Sequence, residues 1–136
     1  MPFANVPDFP VDLSVGNDKT IVVPAGETWE VRGVFCTFST LNNAGARLLT
    51  LEFIEPNSDV IMVKPWGEIQ VANVVKRHAA APQLLPSAEQ TGVQLYIQIP
   101  VLWFLPGWAI RVFDINDLDV LDTVAISVNR VRHSTQ

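Results

Sequence analysis

Two stretches decide the fold class: Val23-Pro24-Ala25-Gly26-Glu27-Thr28-Trp29-Glu30-Val31-Arg32, and Leu105-Pro106-Gly107-Trp108-Ala109-Ile110-Arg111-Val112. In each, proline fixes the first turn angle and glycine supplies the positive φ that follows, so a turn leads directly into a strand that carries tryptophan. Similar short strands, separated by turn residues, recur along the chain. This spacing predicts an all-β fold, an antiparallel β-sandwich that is jelly-roll-like, rather than alternating strands and helices.

The length of 136 residues suits one domain, preceded by a short segment of different composition. Residues 1–18 contain three prolines and end in Gly16-Asn17-Asp18, which predicts an extended N-terminal arm followed by a turn. Residues 19–136 form the predicted sandwich domain. Within it, residues 79–90 are interpreted as a loop, because Pro82 and Pro86 would interrupt any helix there.

The charge balance argues against one large class of partners. Fourteen acidic and nine basic residues give a net charge of −5 without a dense block of either sign, so we expect no nucleic-acid binding. The uncharged stretch from Gln90 to Ile110 contains amides, prolines and a glycine that a membrane helix would not accommodate, so it predicts two strands joined at a proline and no membrane partner. Cys36 is interpreted as a small core residue, and the N-terminus lacks the features of a secretory signal, which favours synthesis in the cytoplasm.

The long strand predicted from residue 28 to residue 39 carries apolar side chains at both odd and even positions. Strict alternation divides them between two faces: Trp29, Val31 and Phe35 on one, and Val34, Cys36 and Phe38 on the other. A strand in a two-layer sandwich needs only one apolar face. We therefore expect the second face to be covered by the arm, by a loop or by another subunit, and a homo-oligomer is the simplest explanation.

Candidate catalytic and metal-binding residues are few and poorly patterned. Four aspartates of one predicted turn lack the glycine of an EF-hand loop, which favours an Asx-rich turn over a calcium site: Asp114, Asp117, Asp119 and Asp122. His78 and His133 are too few, with one cysteine, for a usual zinc site, and no Gly-x-Ser-x-Gly motif accompanies them. We interpret both histidines as solvated surface residues. The sequence thus predicts a protein that is not an enzyme, with no catalytic residue, no metal and no cofactor.

Four tryptophans are the most distinctive remaining feature. Trp29 and Trp108 each follow a Pro-Gly turn and are predicted to lie in the core. Trp66 belongs to a predicted loop tip, and Trp103 to a stretch too apolar for a strand with one solvated face. We predict that the latter two mark a surface for a protein partner. The alternative is a sugar-binding platform, which would need polar groups beside the ring.

Three segments together resemble small β-sandwich virion proteins of tailed bacteriophages, of the capsid decoration or cement type: 22–31, 44–52 and 105–114. The first contains a Pro-Ala-Gly-x-x-Trp motif, and the second a Gly-x-Arg-x-Leu motif built from Gly45, Arg47 and Leu49. The third contains a Leu-Pro-Gly-aromatic motif and ends in aspartate. The resemblance covers most of the chain from Thr20 to Val131.

This resemblance implies a non-enzymatic decoration or cement protein on the capsid surface of a virion. The expected partner is the major capsid protein, and a homo-oligomer, with a trimer favoured, is expected as well. The expected contact surface combines the arm with aromatic and apolar residues of the domain: Phe3, Val6, Phe9, Trp66, Trp103, Phe104 and Leu105. The alternatives are a tail or neck component of the same virion and a carbohydrate-binding or host-recognition module.

Overall fold

The structure, a computed structural model, describes residues 7–8, 11–12, 16–66, 69–82, 94–116 and 121–134. These residues form eleven strands: β1 (Pro7–Asp8), β2 (Val11–Asp12), β3 (Asp18–Val22), β4 (Glu27–Ser39), β5 (Leu49–Ile54), β6 (Val60–Pro65), β7 (Val75–Ala81), β8 (Gln94–Gln98), β9 (Leu102–Phe104), β10 (Ala109–Asp114) and β11 (Thr123–Ser134). Within the same ranges, no helix is long and apolar enough to cross a membrane.

The strands form two sheets that pack against each other, which confirms the predicted all-β sandwich. The larger sheet has the order β1-β11-β4-β7-β8, with β2 also beside β11 and β9 also beside β4. The smaller sheet has the order β3-β10-β5-β6. Strands β8 and β9 are joined through Pro100, as the uncharged stretch of the sequence predicts.

Strand β7 differs from the sequence-based expectation in two ways. It includes residues 79–81, which were interpreted as part of a loop, because pairing with β4 and β8 overrides the low strand preference of alanine. Its pairing with β8 is parallel, unlike the other strand pairings in the described ranges. Residues 82–93 separate the two strands, and a parallel connection requires about a dozen residues.

Both Pro-Gly turns form, and they lie side by side. Gly26 and Gly107 have φ angles of 83° and 86°, in the left-handed region that the sequence predicts for them. The amide of Gly107 donates to the carbonyl of Val23 at 2.8 Å, and the amide of Val23 donates to the carbonyl of Trp108 at 2.8 Å. The two similar motifs therefore join the end of β3 to the start of β10.

We expect Gly107→Ala to destabilise the protein more than Gly26→Ala, although the two glycines share a backbone conformation. A Cβ at residue 26 would meet nothing within 4 Å, whereas one at residue 107 would lie 3.0 Å from Cγ of Pro56. The left-handed backbone costs alanine about 1–2 kcal/mol at either site, and overpacking adds about 1 kcal/mol at residue 107. Urea unfolding of the two variants measures the difference. Equal losses would show that Pro56 moves aside without cost.

A β-bulge in β4 explains why this strand carries apolar residues at both odd and even positions. Gly33 pairs with Asn129 while Val31 pairs with Arg130, so Arg32 is an extra residue opposite β11. The extra residue reverses the alternation, and apolar side chains from both sides of it are buried: Trp29, Val31, Val34, Cys36 and Phe38. The inference that this strand has a second apolar face, which the arm, a loop or another subunit would cover, is therefore wrong. Of the apolar residues counted in that inference, Phe35 alone is exposed.

The core lies between the central strands of the two sheets. Buried side chains of β4 and β11 face those of the smaller sheet: Leu49, Leu51 and Phe53 from β5, and Ile110 and Val112 from β10. Burial of each large apolar side chain contributes about 1.5–3 kcal/mol. Trp29 and Cys36 lie in this core as predicted, and Trp108 is partly buried against it. Desolvation raises the pKa of the Cys36 thiol, so the thiol stays protonated.

A fully buried ion pair connects segments that are distant in the sequence. Arg47 Nε donates to Asp122 Oδ2 at 2.9 Å, and neither side chain is exposed to solvent. Asp122 Oδ1 accepts a hydrogen bond from the Leu41 amide at 2.8 Å, and Arg47 Nη1 donates to the Gly45 carbonyl at 3.1 Å. Arg47 and Gln70 also exchange two backbone hydrogen bonds, of 2.8 and 2.7 Å. The pair thus holds together the loops that follow β4 and precede β5 and β11.

The described parts of the predicted arm pair with their own chain. β1 and β2 both lie along β11, with Pro7 opposite Val131 and Val11 opposite Ser127. β3 begins at Asp18, the last residue of the predicted arm. These short pairings cover one edge of the larger sheet.

Candidate interaction surface

The structure divides the predicted contact residues into exposed and buried groups. Trp103 and Leu105 are 53% and 50% exposed, as the prediction requires. Phe104 is only 1% exposed and Trp66 is fully buried, so the prediction that these two lie on the surface is wrong. The predicted arm contacts lie outside the described residues: Phe3, Val6 and Phe9. That Trp103 and Leu105 contact a partner stays a prediction.

Trp66 is not at a loop tip, because it continues the pairing of β6 with β5. Its amide donates to the Leu49 carbonyl at 3.0 Å, directly after the last residue of β6. Its indole Nε1 donates to the Ala79 carbonyl at 3.0 Å, and its ring meets the His78 ring edge-on at 5.3 Å between centroids. The buried indole therefore has the hydrogen-bond partner that a core tryptophan requires.

Strand alternation explains why Phe104 is buried between two exposed neighbours. β9 pairs with β4 so that Phe104 lies opposite Trp29 and Trp103 lies opposite Glu30. Residues that face each other across a ladder share a side of the sheet, and Trp29 points into the core. The Phe104 ring accordingly contacts the Phe53 ring, edge-on at 4.9 Å. Trp103 points to the outside.

Trp103 belongs to a surface to which strands of both sheets contribute, and in the described ranges no strand pairs with the outer side of β6. β6 is the last strand of the smaller sheet, and β9 belongs to the larger one. Side chains of these strands, and of the connection that precedes β9, line a cavity of about 240 Å³: Ile61, Met62, Pro100, Leu102 and Trp103, with Phe53, Phe104 and Trp108 on the core side. We call the first five residues the open-edge surface.

Further apolar side chains next to the open-edge surface in sequence are each roughly half exposed: Val60, Val63, Val101 and Leu105. Single exposed apolar residues are common, but a group of them around an apolar cavity marks a site of interaction. The open-edge surface is therefore the candidate binding site of this protein.

Polar groups adjoin the apolar cavity. The His133 ring lies 4.8 Å from the Trp103 ring, tilted by 36°. His133 Nε2 is 3.9 Å from Glu30 Oε1. Lys64 Nζ donates to the Gln98 carbonyl at 2.9 Å and so links β6 to β8. An apolar centre with polar neighbours is the usual composition of a protein–protein interface.

The geometry of β6 disfavours attachment by strand addition. Val60 and Met62 pair with consecutive residues of β5, so Ile61 between them is a bulged residue. Pro65 ends the strand and has no amide hydrogen to donate. A bulge and a proline on a free edge both hinder pairing with another strand. We therefore expect a partner to contact side chains rather than the backbone of β6.

The aspartates considered for calcium binding have structural contacts where they are described. Asp122 pairs with Arg47, and Asp114 Oδ1 accepts the amides of Leu48 and Asn116 at 3.1 and 3.0 Å. Asp117 and Asp119 lie outside the described residues. In the part of the chain that the structure describes, no group of three or more His, Cys, Asp or Glu side chains could hold a metal ion.

His78 is buried, so its interpretation as a solvated surface residue is wrong. Its ring is 1% exposed and packs edge-on against the rings of Trp66 and Phe38, at 5.3 and 6.2 Å. No residue in the described ranges forms a hydrogen bond of acceptable distance and angle with either ring nitrogen. Burial lowers the pKa of His78 to about 4; the backbone of Lys76 opposes this shift, and the charge of Lys76 adds to it. The imidazole is therefore neutral at neutral pH.

Sequence reasoning missed four residues of the open-edge surface: Ile61, Met62, Pro100 and Leu102. The run from Val60 to Val63 predicts a strand, but its place at a sheet edge depends on the order of strands, which local pattern does not encode. One signal of an edge strand was available, since Pro65 follows this run by two residues and proline is typical of edge strands.

Comparison with known proteins gives only distant structural similarity. No protein-family model matches the chain, and no curated protein matches it. A dimeric latent PorU structure from Porphyromonas gingivalis is 11% identical with a TM-score of 0.38, over 94% of this chain and 13% of that chain. The infectious bursal disease virus Gx strain structure is 8% identical with a TM-score of 0.32, over 95% of this chain and 42% of that chain. The VP2 subviral particle of that virus is 9% identical with a TM-score of 0.27, over 94% of this chain and 41% of that chain.

The chain thus spans less than half the length of these structures. No role of these proteins extends to this chain.

Proposed function

We propose that this chain is a non-enzymatic structural protein of a virion, a decoration or cement protein on the outer surface of a phage head. The open-edge surface is the observation that supports this most. It presents the exposed Trp103, and several half-exposed aliphatic side chains lie beside it in the sequence. The resemblance of the Pro-Gly-Trp and Gly-x-Arg-x-Leu strands to phage virion proteins favours the same function.

The open-edge surface suits an apolar side chain of a major capsid subunit. Its cavity of about 240 Å³ is smaller than the range of about 300–1,000 Å³ typical of small-molecule sites. A cavity of this size fits the anchor residue of a protein partner, with Trp103 as one wall. A cement protein that contacts two neighbouring capsid subunits gains affinity from the second contact, so one modest site suffices.

A homo-oligomer, most simply a trimer, stays part of the proposal, although the bulge in β4 removes the first argument for it. Half-exposed apolar residues at the open edge are the remaining support. A tail or neck component of the same virion is the alternative, and it would use the same surface at a junction of low copy number.

The Trp103→Ser variant is expected to bind virus particles about thirtyfold more weakly than the unaltered chain, or more weakly still. Removing an aromatic anchor from an interface costs about 2 kcal/mol or more. Because Trp103 is half exposed in the isolated chain, its loss removes little of the folding stability. Co-sedimentation of the purified chain with particles that lack it measures the affinity, and thermal unfolding verifies the fold.

Val22→Ser is the matched control. Val22 is as exposed as Trp103, but it lies on β3, the opposite edge of the smaller sheet from β6. Its substitution should leave binding unchanged. Full binding by Trp103→Ser, or an equal loss in both variants, would contradict the role of the open-edge surface.

A further inference from the structure

The outer face of the larger sheet carries a second feature, a groove of about 400 Å³ that shares no described residue with the open-edge surface. Four adjacent strands build it: β11, β4, β7 and β8. Their pairing arranges the outward side chains in two rows: Ser127, Phe35, Ala79 and Tyr96 in one, and Ala125, Thr37 and Arg77 in the other. The positions of these side chains follow from the register of the sheet.

The groove has a floor of small side chains between two aromatic walls. Phe35 and Tyr96 lie on either side of Ala79, two strand spacings apart, which is about 10 Å. The Phe35 ring leans over Gly33, where a Cβ would come within 2.9 Å of the ring atom Cε2. The absence of a side chain at Gly33 leaves the space that this ring occupies.

Arg77 supplies the positive charge of the groove. Its side chain is exposed, and no residue in the described ranges forms an ion pair or hydrogen bond with its guanidinium. Thr37 lies directly opposite it on β4, and Ser127 adds a second hydroxyl in the neighbouring row. In a chain with a net charge of −5, this cation favours an anionic ligand at one defined place.

We propose that this groove binds a saccharide that carries a carboxylate. A guanidinium recognises a carboxylate through two parallel hydrogen bonds, and the Arg77 side chain lines the groove. The rings of Phe35 and Tyr96 match the apolar faces of a pyranose, and the two hydroxyls match its hydroxyl groups. The volume of about 400 Å³ falls within the range of about 300–1,000 Å³ that small-ligand sites occupy.

Two other ligand classes fit the groove less well. An extended peptide binds through backbone hydrogen bonds, but the face of a sheet presents side chains, because the backbone groups are paired within the ladder. A phosphate monoester carries a charge of about −1.5 to −2, and one guanidinium in an acidic protein balances only part of it. The saccharide site is independent of the virion proposal, since the two surfaces have different residues.

NMR titration of the isotope-labelled chain tests this site with three acidic sugars: glucuronic acid, galacturonic acid and N-acetylneuraminic acid. Glucose, galactose and N-acetylglucosamine serve as neutral counterparts. We expect at least one acid to shift the amides of Phe35, Arg77 and Tyr96, and to bind about tenfold more tightly than its counterpart. Arg77→Met should remove this preference. Arg32→Met, which alters an exposed arginine of the same sheet outside the groove, should retain it.

The same spectra report whether each variant is folded. Absence of shifts in the groove with all three acids would overturn the proposal, and so would shifts that Arg77→Met leaves unchanged. Equal affinity for acetate would show a general anion site instead of a saccharide site. Tighter binding of adenosine monophosphate would show a nucleotide site, and it would equally contradict the proposal.

Discussion

The Asp122→Ala variant is expected to lose about 3–5 kcal/mol of folding stability, because removing one partner leaves the other charge buried and uncompensated. Arg47 and Asp122 are both fully buried, so solvent does not replace the missing carboxylate. The Leu41 amide also loses its acceptor. Domains of this size have a total stability of about 5–15 kcal/mol, so this substitution removes a large part of it.

Urea unfolding at neutral pH measures this loss, and Asp18→Ala is the matched control. Asp18 accepts two hydrogen bonds from Arg111, at 2.9 and 2.7 Å, but this pair lies on the surface. Exposed pairs contribute about 0–1 kcal/mol. Replacing both buried partners, as in Arg47→Met with Asp122→Leu, should restore most of the stability. Equal losses for Asp122→Ala and Asp18→Ala would contradict the structural role of the buried pair.

Acid is expected to destabilise the protein between about pH 6.5 and pH 4 through His78. In the unfolded chain the imidazole has its ordinary pKa of 6.5, whereas burial lowers the pKa to about 4 in the folded state. Above the unfolded pKa both states are neutral, and the stability is fully present. As the pH falls, the unfolded state gains a proton first, so folding stability decreases. The loss of stability is complete below the pKa of the folded state. This difference in pKa corresponds to about 3 kcal/mol.

The His78→Leu variant should lack this part of the acid dependence. Urea midpoints of both proteins, measured at neutral pH and near the folded pKa of about 4, give the difference, and the carboxylates that both proteins share cancel. His133→Gln is the comparison substitution, because the His133 side chain is partly exposed, and this variant should keep the acid dependence that His78 produces. An unchanged acid dependence in His78→Leu would show that the imidazole is solvated in the folded protein.

The parts of the fold set by neighbouring residues could be predicted from the sequence. Proline followed by glycine determines a turn within a few residues, and Gly26 and Gly107 have the positive φ angles that this requires. The uncharged stretch around Pro100 likewise forms two short strands rather than a membrane helix. Such features depend on local backbone geometry, which the sequence specifies directly.

The parts that depend on pairing between distant segments could not be predicted. One bulged residue, Arg32, reverses the face of every side chain that follows, and nothing in its identity marks it as extra. Trp66 is buried because the pairing of β6 with β5 continues three residues beyond the run from Val60 to Val63 that predicts this strand. Arg47 and Asp122 are 75 residues apart, so their contact exists only once both sheets have formed.

Only part of the candidate surface could be predicted, because its assembly also depends on pairing between distant segments. Trp103 was identified because an aromatic residue in an apolar run is conspicuous in a sequence. Alternation along β9 then separates Trp103 from the buried Phe104, a distinction that requires the pairing with β4. Ile61 and Met62 join Trp103 only through the packing of two sheet edges.

The virion proposal depends on the composition of purified particles. Quantitative mass spectrometry of such particles measures the number of copies of this chain relative to the major capsid protein. A decoration or cement protein is expected in many copies and at a fixed ratio to the capsid protein, whereas a few copies per particle would indicate the tail or neck instead. Absence of the chain from purified particles would contradict the proposed function.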